Sequence, residues 1–288
     1  MKKILFFLIL LFALPCYGKT NPYISNLSSS NFSPLDLFSG GKAGFWYDPS
    51  DLSTMFQDSA GTTPVTTTGQ SVCKINDKSG NNLHASQATT GKCPVLQSEG
   101  GRYYLAFNGG NVLITNTVDL GSFSYISTVY GIYIGSTSLS VVSEFSANTN
   151  TNAKAFYPLV INGESAGHFE ACANGSSSAT HDLVQTTSSS FTSGNKLLAT
   201  TVIDNTKSVA ADRIVLRANG SGQGTSTVLD TASSSNLGNY PFYIGGRGTT
   251  PTIGLTGRIY SIVSVTKLLT GDDLFNIEGY ANGKTAAY

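Results

Sequence analysis

The chain has 288 residues, 17 Lys and Arg against 17 Asp and Glu, and only 12% of its residues charged. A near-neutral chain with no basic cluster has no electrostatic handle on nucleic acid or anionic lipid, so nucleic acid is set aside as a partner. With 31 Gly, 2 Met and abundant Ser, Thr and Asn, the composition disfavours long helices and favours short strands joined by polar turns.

The N-terminus, MKKILFFLILLFALPCYGKT, has the layout of a secretory signal. Lys2 and Lys3 form a basic start, residues 4–14 form an apolar run too short to span a bilayer comfortably, and Pro15 breaks it. Cys16 and Gly18 put small residues at the cleavage positions before Lys19. Lipidation at Cys16 is the competing reading, and Pro15 fits it poorly. The expectation is a signal peptide over residues 1–18, an extension over 19–31 and one β-sandwich domain over 32–288. The protein is then secreted or held in the periplasm or cell envelope, with no membrane insertion after cleavage. No later stretch is long and apolar enough for a membrane helix.

Cleavage leaves Cys73, Cys93 and Cys172. An oxidising compartment favours pairing, and Cys73 and Cys93 bracket a short turn-rich segment. A Cys73–Cys93 disulfide with Cys172 free is expected. Metal ligation by the three is disfavoured, because neither a C-x-x-C pair nor clustered histidines accompany them.

Next come the strands. RYYLAF (102–107) places Tyr103, Leu105 and Phe107 on one face at period two. NVLIT, FSYISTVYGIYI, LSVVSEF, FYPLVI, KLLATTVI, ADRIVLRA, PFYIGG and GRIYSIVSV follow at short intervals, separated by Gly, Asn and Ser. ANTNTNA, NGSSSAT and QTTSSSFTSG read as loops between them. One helix is predicted, in LLTGDDLFNIEGYANGK. Thr270 is its N-cap, Asp273 the capping-box partner, Leu269 and Leu274 a staple, and Asn282-Gly283 the stop. Asp272 and Asp273 favour the positive end of the helix dipole and need no catalytic role.

FSPLDLFSGGKAGFWYDPSDLSTMFQDSAGTTPVTTTGQSV, DKSGNNLHASQAT and KCPVL, with YIGGRG and LTGRIYSIVSVTKLLTGDDLFNIEGYANGK at the other end, resemble concanavalin A-like, laminin-G-like domains of phage and prophage tail-associated proteins. The likeness runs from about Phe32 to Tyr288. It implies an all-β fold, a two-sheet antiparallel jelly-roll sandwich with a short C-terminal helix, and glycan or surface binding. The export signal departs from a virion protein, which assembles in the cytoplasm, and points to a cell-envelope or secreted relative.

The resemblance also bears on DKSGNNLH (77–84), because a similar turn helps hold calcium in some laminin-G-like relatives. Asp77, Asn81 and Asn82 could supply a carboxylate and amide oxygens, although one acid is little charge for calcium. The competing reading is a tight turn in which Asp77 accepts backbone N–H groups, Gly80 and Asn81 supply left-handed backbone, and His84 is free. The turn is favoured. No cofactor is required, and calcium is an optional ligand.

GESAG (163–167) matches the nucleophile-elbow pattern around Ser165, but an elbow joins a strand to a helix, and strand-like sequence follows here. A hairpin turn is expected instead. Glu144, Glu164 and Glu170 are dispersed, without the run of carboxylates that glycanases place along one strand. Trp46, in WYDPSD, is read as core. Tyr125, Tyr130 and Tyr133 are the candidate sugar-stacking residues. The reading is an exported, non-catalytic, lectin-like protein whose partner is a glycan or cell-surface polysaccharide. A polysaccharide hydrolase or lyase on the same sandwich, and a structural or adhesion subunit related to phage tail proteins, are the alternatives.

Overall fold

Period-two alternation gives each strand one apolar face, and such faces are buried by packing two sheets together. The computed structural model describes residues 32–162, 168–177, 181–186, 192–223, 225–229 and 235–288, and Ser33–Tyr288 form one compact unit. The expected signal peptide and extension (1–31) lie outside the described residues.

The first sheet runs, neighbour by neighbour, Ser221–Gly222, Ile214–Ala218, Lys196–Asp204, Tyr125–Ile134, Thr256–Val265, Arg102–Asn108 and Val95–Glu99. Gly44–Tyr47 pairs with the far end of Thr256–Val265 and completes eight strands. The second sheet has ten: Thr225–Leu229, His181–Thr186, His168–Asn174, Phe156–Asn162, Ser140–Phe145, Phe242–Ile244, Leu113–Thr115, Ala85–Ser86, Lys74–Ile75 and Met55–Phe56. All ladders described within the two sheets are antiparallel. The result is the expected two-sheet sandwich.

One core joins the inner faces. Leu105, Phe107, Ile126, Ile132 and Leu197 come from the first sheet, and Phe145, Phe156, Leu159, Phe169 and Phe242 from the second. Hydroxyl contacts bridge the layers. Tyr130 Oη and Ser143 Oγ lie 2.6 Å apart, and Thr201 Oγ1 donates to the Pro158 carbonyl at 2.6 Å. Pro158 is tolerated within its strand because the ladder is irregular there, with a register shift between Tyr157 and Val160.

The helix Gly271–Thr285 lies against the outer face of the first sheet, where it buries Ile277, Glu278, Ala281 and Thr285. Gly131 makes that approach close: a Cβ there would stand 1.8 Å from Thr285 Oγ1. The helix differs from expectation at both ends. Thr270 occupies the N-cap, but its side chain caps nothing, and Asp273 pairs with Lys267 at 2.7 Å instead. The stop comes after Thr285, where Ala286 is left-handed, and Asn282 Oδ1 accepts the Ala287 N–H at 2.9 Å.

Cys73 and Cys93 are joined, with Cα atoms 4.9 Å apart, and Cys172 is free and buried. The bridge closes a separation of 20 residues that carries two very short strands and the 77–84 turn. In the chain-entropy account this is worth about 3 kcal/mol. Cys73→Ser/Cys93→Ser is therefore expected to melt roughly 6–12 °C lower than the wild type. Differential scanning calorimetry checks this, and an unchanged melting temperature would contradict it.

Candidate functional site

The three candidate tyrosines separate by strand parity. Tyr130 shares the inward face with Ile126, Ile132 and Ile134, and is fully buried. It cannot stack on a sugar, which corrects that expectation: burial raises its hydroxyl pKa, and Ser143 satisfies it. Tyr125 and Tyr133 face outward and are half-buried at opposite ends of Tyr125–Ile134, with the helix packed on the same strand between them.

Tyr133 stands in a constructed setting. The ladder register puts Lys196 directly across from it on one neighbouring strand and Arg258 on the other. The Arg258 guanidinium lies between two rings, 4.3 Å from the Tyr133 centroid and 4.6 Å from that of Tyr104. Its Nη1 donates to Glu99 Oε2 at 2.8 Å and to Tyr260 Oη at 3.3 Å, while Lys196 Nζ approaches the same Glu99 oxygen at 3.6 Å. Burial alone would lower the Arg258 pKa. The Tyr260 hydroxyl and neighbouring Tyr104, Tyr260 and Glu99 outweigh it, and the guanidinium sits above its ordinary value.

Tyr133, Lys196, Arg258 and Glu99 border an open hollow of about 630 Å³, completed by Gly194, Asn195, Asn219 and Ala287. It offers a half-exposed aromatic ring, amide and ammonium donors, a carboxylate acceptor and an excess of one positive charge. That is hydrogen-bonding chemistry, without a nucleophile and base in contact. Arg258, Lys196 and Glu99 were not singled out in the sequence. Only the cross-strand register unites them, and that register is a tertiary property.

The 77–84 segment does different work. Asp77 Oδ1 accepts the Trp46 N–H at 2.9 Å and the Ser79 N–H at 2.8 Å; Oδ2 accepts the Ser79 hydroxyl at 2.7 Å and the Leu83 N–H at 3.1 Å. The Asn81 amide donates to the Lys42 and Gly44 carbonyls at 3.0 and 2.9 Å. The left-handed residues are Gly80 and Asn82, not Asn81, and His84 is engaged, its Nδ1 accepting the Asp77 N–H at 3.1 Å. Among the described residues, no group of three or more His, Cys, Asp or Glu is placed to hold a metal ion.

Ser165 and Glu164 lie outside the described residues. The strands on either side, Phe156–Asn162 and His168–Asn174, pair antiparallel, whereas an elbow needs a helix after the strand. Glu144 is fully buried, and both its oxygens are taken, by the Thr149 N–H and by Arg247 Nε at 2.8 Å. Glu170 accepts from the Tyr157 hydroxyl at 3.3 Å. Burial pushes the Cys172 thiol up, and the carboxylates of Glu170, Asp182 and Glu144 add to that, so it is a poor nucleophile. Trp46 is core, 8% exposed, as expected.

No family model matches the sequence, and no curated protein sequence matches it. Solved structures do share the fold. The receptor-binding domain of botulinum neurotoxin D aligns at 13% identity and a TM-score of 0.53, over 86% of this chain and 54% of that one. Trypanosoma rangeli sialidase in complex with sialic acid aligns at 11% identity and 0.53, over 84% of this chain and 33% of the sialidase. The CBM40 module of Ruminococcus gnavus IT-sialidase, bound to alpha2,3 sialyllactose, aligns at 15% identity and 0.44, over 61% of this chain and 95% of the module. The chain thus spans about half of the toxin domain and a third of the sialidase, and what it shares with them is the β-sandwich fold.

Proposed function

We propose that this protein is an exported, non-catalytic glycan-binding sandwich that takes its ligand in the hollow beside Tyr133. The observation that carries the reading is the cross-strand row Lys196–Tyr133–Arg258 opening on solvent. A sugar presents an apolar ring face and a rim of hydroxyls, and it is held by an aromatic wall with a few directed polar groups. The fold is compatible, since one structure that shares it contains sialic acid and another is a receptor-binding domain. The signal-like N-terminus and the disulfide support export, and among the described residues no helix is long and apolar enough to cross a membrane. The motifs at both ends of the chain support grouping it with the phage tail-associated domains, in an exported setting.

The test is a glycan array probed with the mature protein, followed by calorimetric titration of the strongest ligand. Tyr133→Ala is expected to weaken binding about tenfold, the loss of one aromatic contact. Arg258→Ala removes a charge and the group that holds Tyr133 in place, so its loss is expected to be larger. Binding is expected to be the same in calcium and in EDTA, because the Asp77 oxygens already hold four donors. An empty array, or Tyr133→Ala at wild-type affinity, would refute the reading.

A further inference from the structure

Six large hydrophobic side chains of the described residues are strongly exposed, and only two of them, Phe275 at 61% and Tyr288 at 62%, are aromatic. Both border one groove of about 490 Å³, between the helix Gly271–Thr285 and the turn after Ile214–Ala218. Solvent-facing aromatic rings are costly to leave bare, and two around one concavity mark a contact surface.

The groove has a polar floor. Glu278, 4% exposed on the buried side of the helix, accepts from Arg217 Nε at 2.8 Å, Arg217 Nη2 at 3.0 Å and the Thr200 hydroxyl at 2.9 Å. The pair raises the Arg217 pKa, chiefly through the hydrogen bond to Glu278. Nη2 also donates to the Gly220 carbonyl at 2.6 Å, so the guanidinium is fixed against the turn. One aromatic wall is held as well: Asn282 binds the Tyr288 backbone, Nδ2 donating to the carbonyl at 3.0 Å and Oδ1 accepting the N–H at 3.3 Å.

Asn219 lines this groove and the Tyr133 hollow alike. Its backbone is left-handed, at φ 49°, and its Oδ1 accepts the Leu198 N–H at 3.0 Å, which fixes the amide. The two concavities are therefore neighbours that share one held side chain.

We infer that the groove is a second sugar subsite and that the ligand is an extended oligosaccharide, one unit beside Tyr133 and the next against Phe275 and Tyr288. This rests on the reading of the Tyr133 hollow as a glycan site. An aromatic-walled groove with a guanidinium–carboxylate floor suits a pyranose, whose ring face stacks while its hydroxyls both donate and accept. A purely apolar partner would leave the floor unmatched.

The experiment is an array printed with size ladders, monosaccharide to hexasaccharide, of neutral and of carboxylate-bearing glycans. It is probed with wild type, Phe275→Ala, Tyr288→Ala and Tyr133→Ala, with solution titrations on the best ladder. Wild-type affinity should rise about tenfold between the shortest and longer members, and Phe275→Ala and Tyr288→Ala should each remove most of that rise while short-ligand binding is unchanged. Tyr133→Ala should weaken every length. A flat ladder, or a rise that survives both groove variants, overturns the second subsite and leaves the Tyr133 site standing. If Phe275→Ala instead converts a dimer to a monomer in sedimentation without changing the ladder, the groove is a contact between copies and the inference fails. No binding to any ladder overturns both readings together.

Discussion

Asp77→Ala is expected to destabilise the fold by about 4 kcal/mol and to lower the melting temperature by roughly 10 °C. Four donors converge on this carboxylate, two from its own turn, one from Leu83 and one from the backbone of Trp46. Hydrogen bonds to a charged group contribute about 1.5–3 kcal/mol each when buried, and the part-exposed position reduces the total. The turn is therefore a splint that ties the 77–84 segment to the strand Gly44–Tyr47, and Ser79 reinforces it by donating to the Gly44 carbonyl at 3.2 Å.

The left-handed backbone demanded at Gly80 would by itself rank Gly80→Val above Asp77→Asn in damage to folding. The contacts argue for the opposite order. A Cβ on Gly80 meets nothing within 4 Å, so the substitution costs only the left-handed strain at φ 89°, about 1–2 kcal/mol. Asp77→Asn keeps one oxygen and turns an NH₂ group toward the remaining N–H donors. It is expected to cost more than Gly80→Val in denaturant titrations, and the opposite ranking would mean that backbone conformation, not the carboxylate, sets the turn.

The strands that could be read were those long enough to show a period, such as 102–107 and 125–134. Met55–Phe56, Lys74–Ile75 and Ala85–Ser86 have two residues each, too few for alternation, and exist because neighbours pair with them. The helix was legible from its acids and apolar spacing, but its ends were not. Gly271 at φ 52° changes the entry, and packing of Ala281 and Thr285 over Gly131 carries the helix through Asn282-Gly283. Of the candidate site, Tyr133 was legible as one aromatic among three. Parity removes Tyr130, but the partners Lys196 and Arg258 depend on strands about 60 and 125 residues further along the chain, and no local pattern announces that register.

The same limit hid the attachment of the helix to the first strand, which yields the second large prediction. Trp46 Nε1 donates to Tyr280 Oη at 2.9 Å, and that hydroxyl donates to Asp48 Oδ2 at 2.9 Å. Lys284 Nζ reaches the same oxygen at 2.9 Å, while Asp48 Oδ1 accepts the Ser50 N–H at 3.0 Å and its hydroxyl at 2.6 Å. Lys78 closes the far side, with Nζ 4.6 Å from the Trp46 ring. Asp48 is buried, so Asp48→Ala leaves the Tyr280 hydroxyl and the Ser50 groups without their acceptor. The expected loss is about 4 kcal/mol, with the part-exposed Lys284 contributing the least because solvent screens it. Burial alone would raise the Asp48 pKa, but the hydrogen bonds from Ser50 and Lys284 outweigh it and hold the carboxyl below its ordinary value. The folded pKa is depressed, so this stability is fully present above the unfolded pKa, about 3.9, and is lost as pH falls through the lower folded value. Trp46 is the only tryptophan, and its emission reports on this junction directly. In the wild type, emission should hold steady down to about pH 4 and shift to the red below it, and Asp48→Ala should lack that acid step while melting roughly 10 °C lower. An acid step that persists in Asp48→Ala would assign it to another carboxylate, and an unchanged melting temperature would mean that the helix is held by its apolar face alone.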